Sequence, residues 1–121
     1  MLADGFYTIV RQEELPLGEF LAVIRLNPEH DIYKAHFPGY PITPGVCIVK
    51  VASEILSSFK GGAGLSCADN VKFLTPLIPD ADEPIEFDFK PKGEDRYSIT
   101  VKGKEFYSKM VLSFRTLPKD D

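Results

Sequence analysis

The strongest pattern of apolar and polar positions lies between residues 44 and 59. Ile48, Ala52, Ile55, Leu56 and Phe59 recur at spacings of three and four, and Val49 and Val51 widen the stripe. That spacing puts them on one face of a helix, so the pattern predicts a helix over about 44–59. Polar residues are confined to Lys50, Ser53, Glu54, Ser57 and Ser58. A helix apolar over so much of its surface is expected to be enclosed on most sides. Thr43-Pro44-Gly45 supplies a start, with Thr43 as N-cap and Pro44 in the first turn, and Gly61-Gly62 supplies a stop.

Elsewhere the period is that of a strand. Phe20, Ala22, Ile24 and Leu26 share one face of a strand over 20–26, and Ile85, Phe87 and Phe89 share one face over 85–89. Residues 6–10 alternate weakly and predict a short first strand or arm. Two glutamates and a proline make 12–17 a loop, 27–31 is a turn cluster, and 32–37 reads as extended. Residues 70–74, bounded by Pro76 and Pro79, are a further strand. Strands over 96–101 and 105–115 follow, joined by a tight hairpin at Lys102-Gly103-Lys104. Residues 119–121 form a solvated tail. Strands, one apolar helix and then an antiparallel meander give an α+β class, with an antiparallel sheet wrapped around one central helix. At 121 residues the expectation is a single domain over 1–121, small enough to gain stability by oligomerising.

Charge changes this picture only by exclusion. A net charge of −4 lacks the basic footprint that nucleic-acid binding needs. No basic stretch followed by an apolar segment opens the chain, and the longest apolar run, 20–24, is too short for a bilayer. A cytoplasmic protein without a membrane segment is expected. Cys47 and Cys67 have neither CxxC nor zinc spacing, so they are expected to be buried free thiols, with no metal site.

Candidate chemistry concentrates in His36-Phe37-Pro38-Gly39-Tyr40-Pro41-Ile42-Thr43-Pro44-Gly45-Val46. Each proline locks φ and each glycine permits turns closed to other residues, which makes a rigid, irregular loop. The loop holds an imidazole close to a helix N-terminus, where free N–H groups point outward. Such an arrangement can polarise a carbonyl while moving a proton beside it. His30 lies in a polar turn, and its distance along the chain from His36 is not that of a helical metal pair. It reads as a surface residue.

With 27–35 before it, this stretch resembles the active-site segment of the FabZ/FabA-type 3-hydroxyacyl-acyl-carrier-protein dehydratases. Residues 69–79 resemble that family's next landmark, an Asp and a Phe-containing strand ending in a Pro-x-x-Pro turn. The resemblance runs through nearly the whole chain in order and spacing. It implies a hot-dog fold and a homodimer or a multiple of one. It also implies an acyl thioester substrate, carried by acyl carrier protein or coenzyme A, and no cofactor. In this likeness His36 takes the α-proton of the substrate. The backbone N–H of Gly45, at the helix start, binds the thioester carbonyl. Val46, Tyr40 and Phe73 are then expected against the substrate, and Lys34 and Lys72 are candidate contacts for an acidic carrier.

One position departs from the family. Its second catalytic group is a Glu or Asp on the helix of the other subunit, fourteen residues after the histidine; here that residue is Lys50. The family's Gln one turn later is Glu54, on the same face and about 6 Å further along the axis. Departure of the hydroxyl therefore falls to Glu54, Lys50 or a bound water. The expected function is dehydration of 3-hydroxyacyl thioesters in fatty-acid or related lipid biosynthesis. Two alternatives stand beside it: a non-catalytic subunit that binds acyl thioesters or their carrier, and a thioesterase, for which Glu54 is the one marked carboxylate. Each residue also has a plainer use. His36 can satisfy loop carbonyls, Lys50 and Glu54 can pair, Gly45 can permit close packing, and Tyr40 and Phe73 can fill the core.

Overall fold

The structure, a computed structural model, describes residues 5–35, 39, 41–61 and 64–115. Its strands are β1 (Tyr7–Glu14), β2 (Phe20–Leu26), β3 (Gly64–Phe73), β4 (Ile85–Pro91), β5 (Arg96–Lys102) and β6 (Phe106–Arg115). They form one antiparallel sheet in the order β1-β2-β4-β5-β6-β3. Between β2 and β3 run a short helix, α1 (Asp31–Ala35), and a long one, α2 (Gly45–Lys60). The alternating residues of β2, β4, β5 and β6 bury one sheet face against α2, which contributes Cys47, Ile48, Val51, Ala52, Ile55 and Leu56. Phe20 stacks on Phe59 at 4.0 Å and on Phe89 at 4.4 Å, pinning the last turn of α2 to the sheet. Gly61 ends α2 in the left-handed conformation, φ 70°, as the sequence predicts. The helix is enclosed on its sheet side, while Val46 and Lys50 stand exposed on the opposite flank.

Five local expectations are corrected. The loop expected from residue 12 is still β1 as far as Glu14, because Gln12, Glu13 and Glu14 pair with Ala22, Leu21 and Phe20 of the more apolar β2. The charged side chains of this outermost strand discourage further strand pairing. The extended segment expected from residue 32 is α1 instead. His30 starts it: its Nδ1 accepts from the Ile32 N–H at 3.1 Å, and its ring meets Phe6 edge-on at 5.3 Å. His30 is thus a half-buried helix cap and not a surface residue. β3 begins at Gly64 rather than at residue 70, and register shifts at Leu65/Cys67 and Asp69/Lys72 break the alternation that would have marked it. Finally, Pro44, not Thr43, caps α2. The Thr43 hydroxyl is held by Tyr33 instead.

Three buried tyrosines tie these parts together and make the fold sensitive to alkali. Burial pushes the Tyr33 phenol up from 10.0 to about 12. Burial also raises Tyr7, helped by its bond to Glu54, and raises Tyr107, which donates to the buried Glu83 carboxylate. A phenol raised in the folded state holds its proton more tightly there than in the unfolded chain. Its contribution is complete below pH 10 and is lost as pH climbs through the folded values. Urea unfolding midpoints should accordingly be level from pH 8 to about 9.5 and fall steeply above it. A midpoint unchanged to about pH 12 would mean that these phenols are not protected.

Candidate active site

The entrance to α2 is fixed from two sides. Tyr33 of α1, stacked on Phe6, shares a buried 2.9 Å hydrogen bond with Thr43 Oγ1, and the Thr43 N–H donates to the Leu77 carbonyl at 2.8 Å. Pro44 caps the helix with its backbone alone: its carbonyl accepts from the N–H groups of Cys47 at 2.9 Å and Ile48 at 3.2 Å. The N–H groups of Gly45 and Val46, in the first turn, have no acceptor within the helix. They carry the positive end of the helix dipole, which favours negative charge developing on a carbonyl oxygen.

Beside this helix start lies a largely apolar cleft of about 300 Å³, lined among others by Pro44, Gly45, Ile48, Phe73 and Leu77. The Phe73 ring rests on Gly45 so closely that a Cβ at residue 45 would come within 2.4 Å of it. The absence of a side chain at Gly45 is what lets the ring lie this close, and an added Cβ would push the ring aside. Phe73 itself is half-exposed, at 54%.

The candidate residues fall into two groups. Gly45 and Phe73 meet at the cleft. Val46, Lys50 and Glu54, spaced by four, form a row along the flank of α2. Val46 is 76% exposed, Lys50 is exposed, and Glu54 is half-buried. Glu54 is anchored: the buried Tyr7 hydroxyl on β1 donates to its Oε1 at 3.0 Å. Burial and this carboxylate both raise the phenol, so Tyr7 is a neutral donor throughout the ordinary pH range. His36 and Tyr40 lie outside the described residues; His36 follows α1 directly in the chain.

Of the outlying candidates, Lys34 and Lys72 are exposed, and Lys72 stands opposite Lys109 across the sheet. Cys47 is buried, which raises its thiol. Cys67 corrects the expectation of two buried thiols. It is exposed on β3, at the edge of the sheet, and donates to Asp69 Oδ1 at 3.2 Å. Among the described residues no group of three or more His, Cys, Asp or Glu side chains could hold a metal ion, and no helix is long and apolar enough to cross a membrane. The sequence pattern missed Tyr7, whose tie to Glu54 joins the first strand to the helix across 47 residues. It also missed Ser108, a hydroxyl placed among the core-facing residues of β6.

Three comparisons bear on this site. The ApeI-like family model, described as ApeI dehydratase, matches residues 12–111. The 3-hydroxyacyl-[acyl-carrier-protein] dehydratase FabZ of Halalkalibacterium halodurans is 30% identical over 112 residues, covering 82% of this chain and 80% of that protein. Its counterpart from Fusobacterium nucleatum is 24% identical over 119 residues, covering 93% and 80%. Among solved structures, the dehydratase heterocomplex ApeI:P from Xenorhabdus doucetiae aligns with a TM-score of 0.78 at 19% identity, covering 90% of this chain and 97% of that one. The antiparallel sheet packed around α2 is a hot-dog fold.

Proposed function

This chain belongs to the ApeI-like dehydratase family, and from that premise we propose that it removes water from a 3-hydroxyacyl thioester to give the 2-enoyl thioester. The observation that carries this reading is the start of α2, without a side-chain cap, beside the apolar cleft, with Gly45 under Phe73. There the thioester carbonyl accepts a hydrogen bond from the Gly45 N–H, which stabilises the enolate-like charge. His36 takes the proton from C2. The electron pair of that C–H bond becomes the C2=C3 double bond, and the C3–O bond breaks. The hydroxide departs as water with a proton from Lys50, from Glu54 in its acid form, or from a water held between them. Val46, Tyr40 and Phe73 bound the acyl chain. The thioester is carried by acyl carrier protein, as the names of the FabZ relatives state for those proteins, or by coenzyme A. The working assembly is a homodimer or a multiple of it, in which the α2 flank of one chain serves the histidine of the other.

Lys50 favours a second reading. A cation stands where a carboxylate is expected, and it is exposed on the open flank. On that reading the chain binds acyl thioesters without turning them over and works beside a carboxylate-bearing subunit. Purified protein mixed with a 3-hydroxybutyryl thioester, followed by enoyl absorbance, separates these readings. Enoyl formation is expected. Binding without product supports the second reading, and release of free thiol without enoyl indicates a thioesterase.

A further inference from the structure

Next to Phe73 in the sheet is a hydroxyl with no partner among the described residues. Ser108 on β6 is fully buried, and its Oγ makes no hydrogen bond among the described residues. Met110, Leu112 and Phe114 continue the buried, core-facing side of the same strand, while Lys109 between them is exposed. Ser108 pairs with Val101 of β5 on one side and with Phe73 of β3 on the other. A serine at this position gives up its hydration and gains no hydrogen bond among the described residues, whereas alanine would avoid that cost. Buried hydroxyls left this way are uncommon, and a ligand that supplies the missing bond is one physical explanation.

The neighbour on β3 says where that ligand sits. Directly paired residues on adjacent strands point to the same face, so Ser108 and Phe73 lie side by side. Phe73 in turn lines the cleft and rests on Gly45. Hydroxyl, ring and helix start are thus contiguous. We propose that Ser108 is a specificity-determining residue, which hydrogen-bonds an oxygen on C3 of an acyl chain whose thioester carbonyl is held at Gly45. It selects 3-oxygenated acyl thioesters over unsubstituted ones. Phe73 is the gate: at 54% exposure its ring turns outward with little loss of packing, joining the cleft to Ser108. A serine hydroxyl both donates and accepts, so it serves a 3-hydroxyl in either sense. It orients that group; the proton that leaves with it comes from elsewhere. The inference rests on the reading of this cleft as the acyl-thioester site.

Two unreactive probes test it, measured by calorimetry on the whole protein. One is pantetheine with its thioester replaced by an amide and a 3-hydroxybutyryl chain; the other has a plain butyryl chain. The wild type should bind the hydroxylated probe about tenfold more tightly. Ser108→Ala should erase that preference by weakening the hydroxylated probe alone, and Ser108→Thr should retain it. Because the free hydroxyl is unpartnered, Ser108→Ala should melt at the same temperature as the wild type or higher. Equal binding of both probes by the wild type overturns the proposal while the cleft keeps its role. So does a Ser108→Ala variant that weakens both probes or melts several degrees lower. If the wild type binds neither probe, the reading of the cleft fails and this inference with it.

Discussion

His36→Ala should lower the rate of 3-hydroxyacyl dehydration by about 10²–10⁴, the usual contribution of a positioned base, with the fold unchanged by circular dichroism. The size of the effect follows from the lack of a substitute base in the neighbouring sequence and in α1. Of the residues that lead from it into α2, Phe37, Pro38, Gly39, Pro41, Ile42, Thr43, Pro44 and Gly45 carry no side chain able to take a proton from carbon, and a phenol such as that of Tyr40 is a poor base near neutral pH. The other imidazole, His30, is already engaged: its Nδ1 accepts from the Ile32 N–H and its ring lies against Phe6. Moving it to the substrate would uncap α1, so it is no substitute. Nor is Tyr33, whose phenol is pushed up to about 12 and whose hydroxyl is spent on Thr43. Enoyl absorbance measured at matched protein concentrations decides the matter. A variant as fast as the wild type would take His36 out of the chemistry.

The parts of this fold that were legible in the sequence are those whose own period is long enough to show. α2 has four turns of apolar spacing, β4 alternates cleanly over 85–89, and β2 is an apolar run bounded by turn residues, so all three were readable within a residue or two. α1 has only five residues, too few to establish a helical period, and its cap is a histidine rather than a Ser, Thr, Asp or Asn. Only the end of β3 shows in the pattern, because its bulges move side chains from one face to the other. The tail of β1 is polar and becomes a strand only through β2 beside it. The candidate site divides the same way. Gly45 and Phe73 were named through a family likeness, but their contact is a product of β3 folding back over the start of α2. The Tyr7–Glu54 bond and the stranded Ser108 hydroxyl are long-range facts, with no local signal beyond a serine in an apolar run.

The missing carboxylate gives the other large effect. If the proton for the leaving hydroxyl is limiting, Lys50→Glu should raise the rate by about 10²–10⁴, since it restores an acidic group on the α2 flank where the family carries one. The substitution is structurally mild. Lys50 is exposed, and the new carboxylate lies four residues before Glu54, a like-charge spacing that costs about 0.2–0.5 kcal/mol. Glu54→Gln then tells whether the native chain already has its acid. A fall of about 10²–10⁴ assigns the role to Glu54; a mild change leaves it to Lys50 or water. Tyr7→Phe sharpens that distinction, because the Tyr7 hydroxyl fixes the Glu54 carboxylate from β1 at 3.0 Å. If Glu54 is the acid, removing the hydroxyl should slow the native chain yet have no effect on rate in the Glu54→Gln background. Equal slowing in both backgrounds would show Tyr7 acting on packing alone. A wild type inactive on every acyl thioester, together with a Lys50→Glu variant that folds and stays inactive, would end the case for an enzyme. The cleft beside Gly45 would then belong to a subunit that holds an acyl chain for another chain to transform.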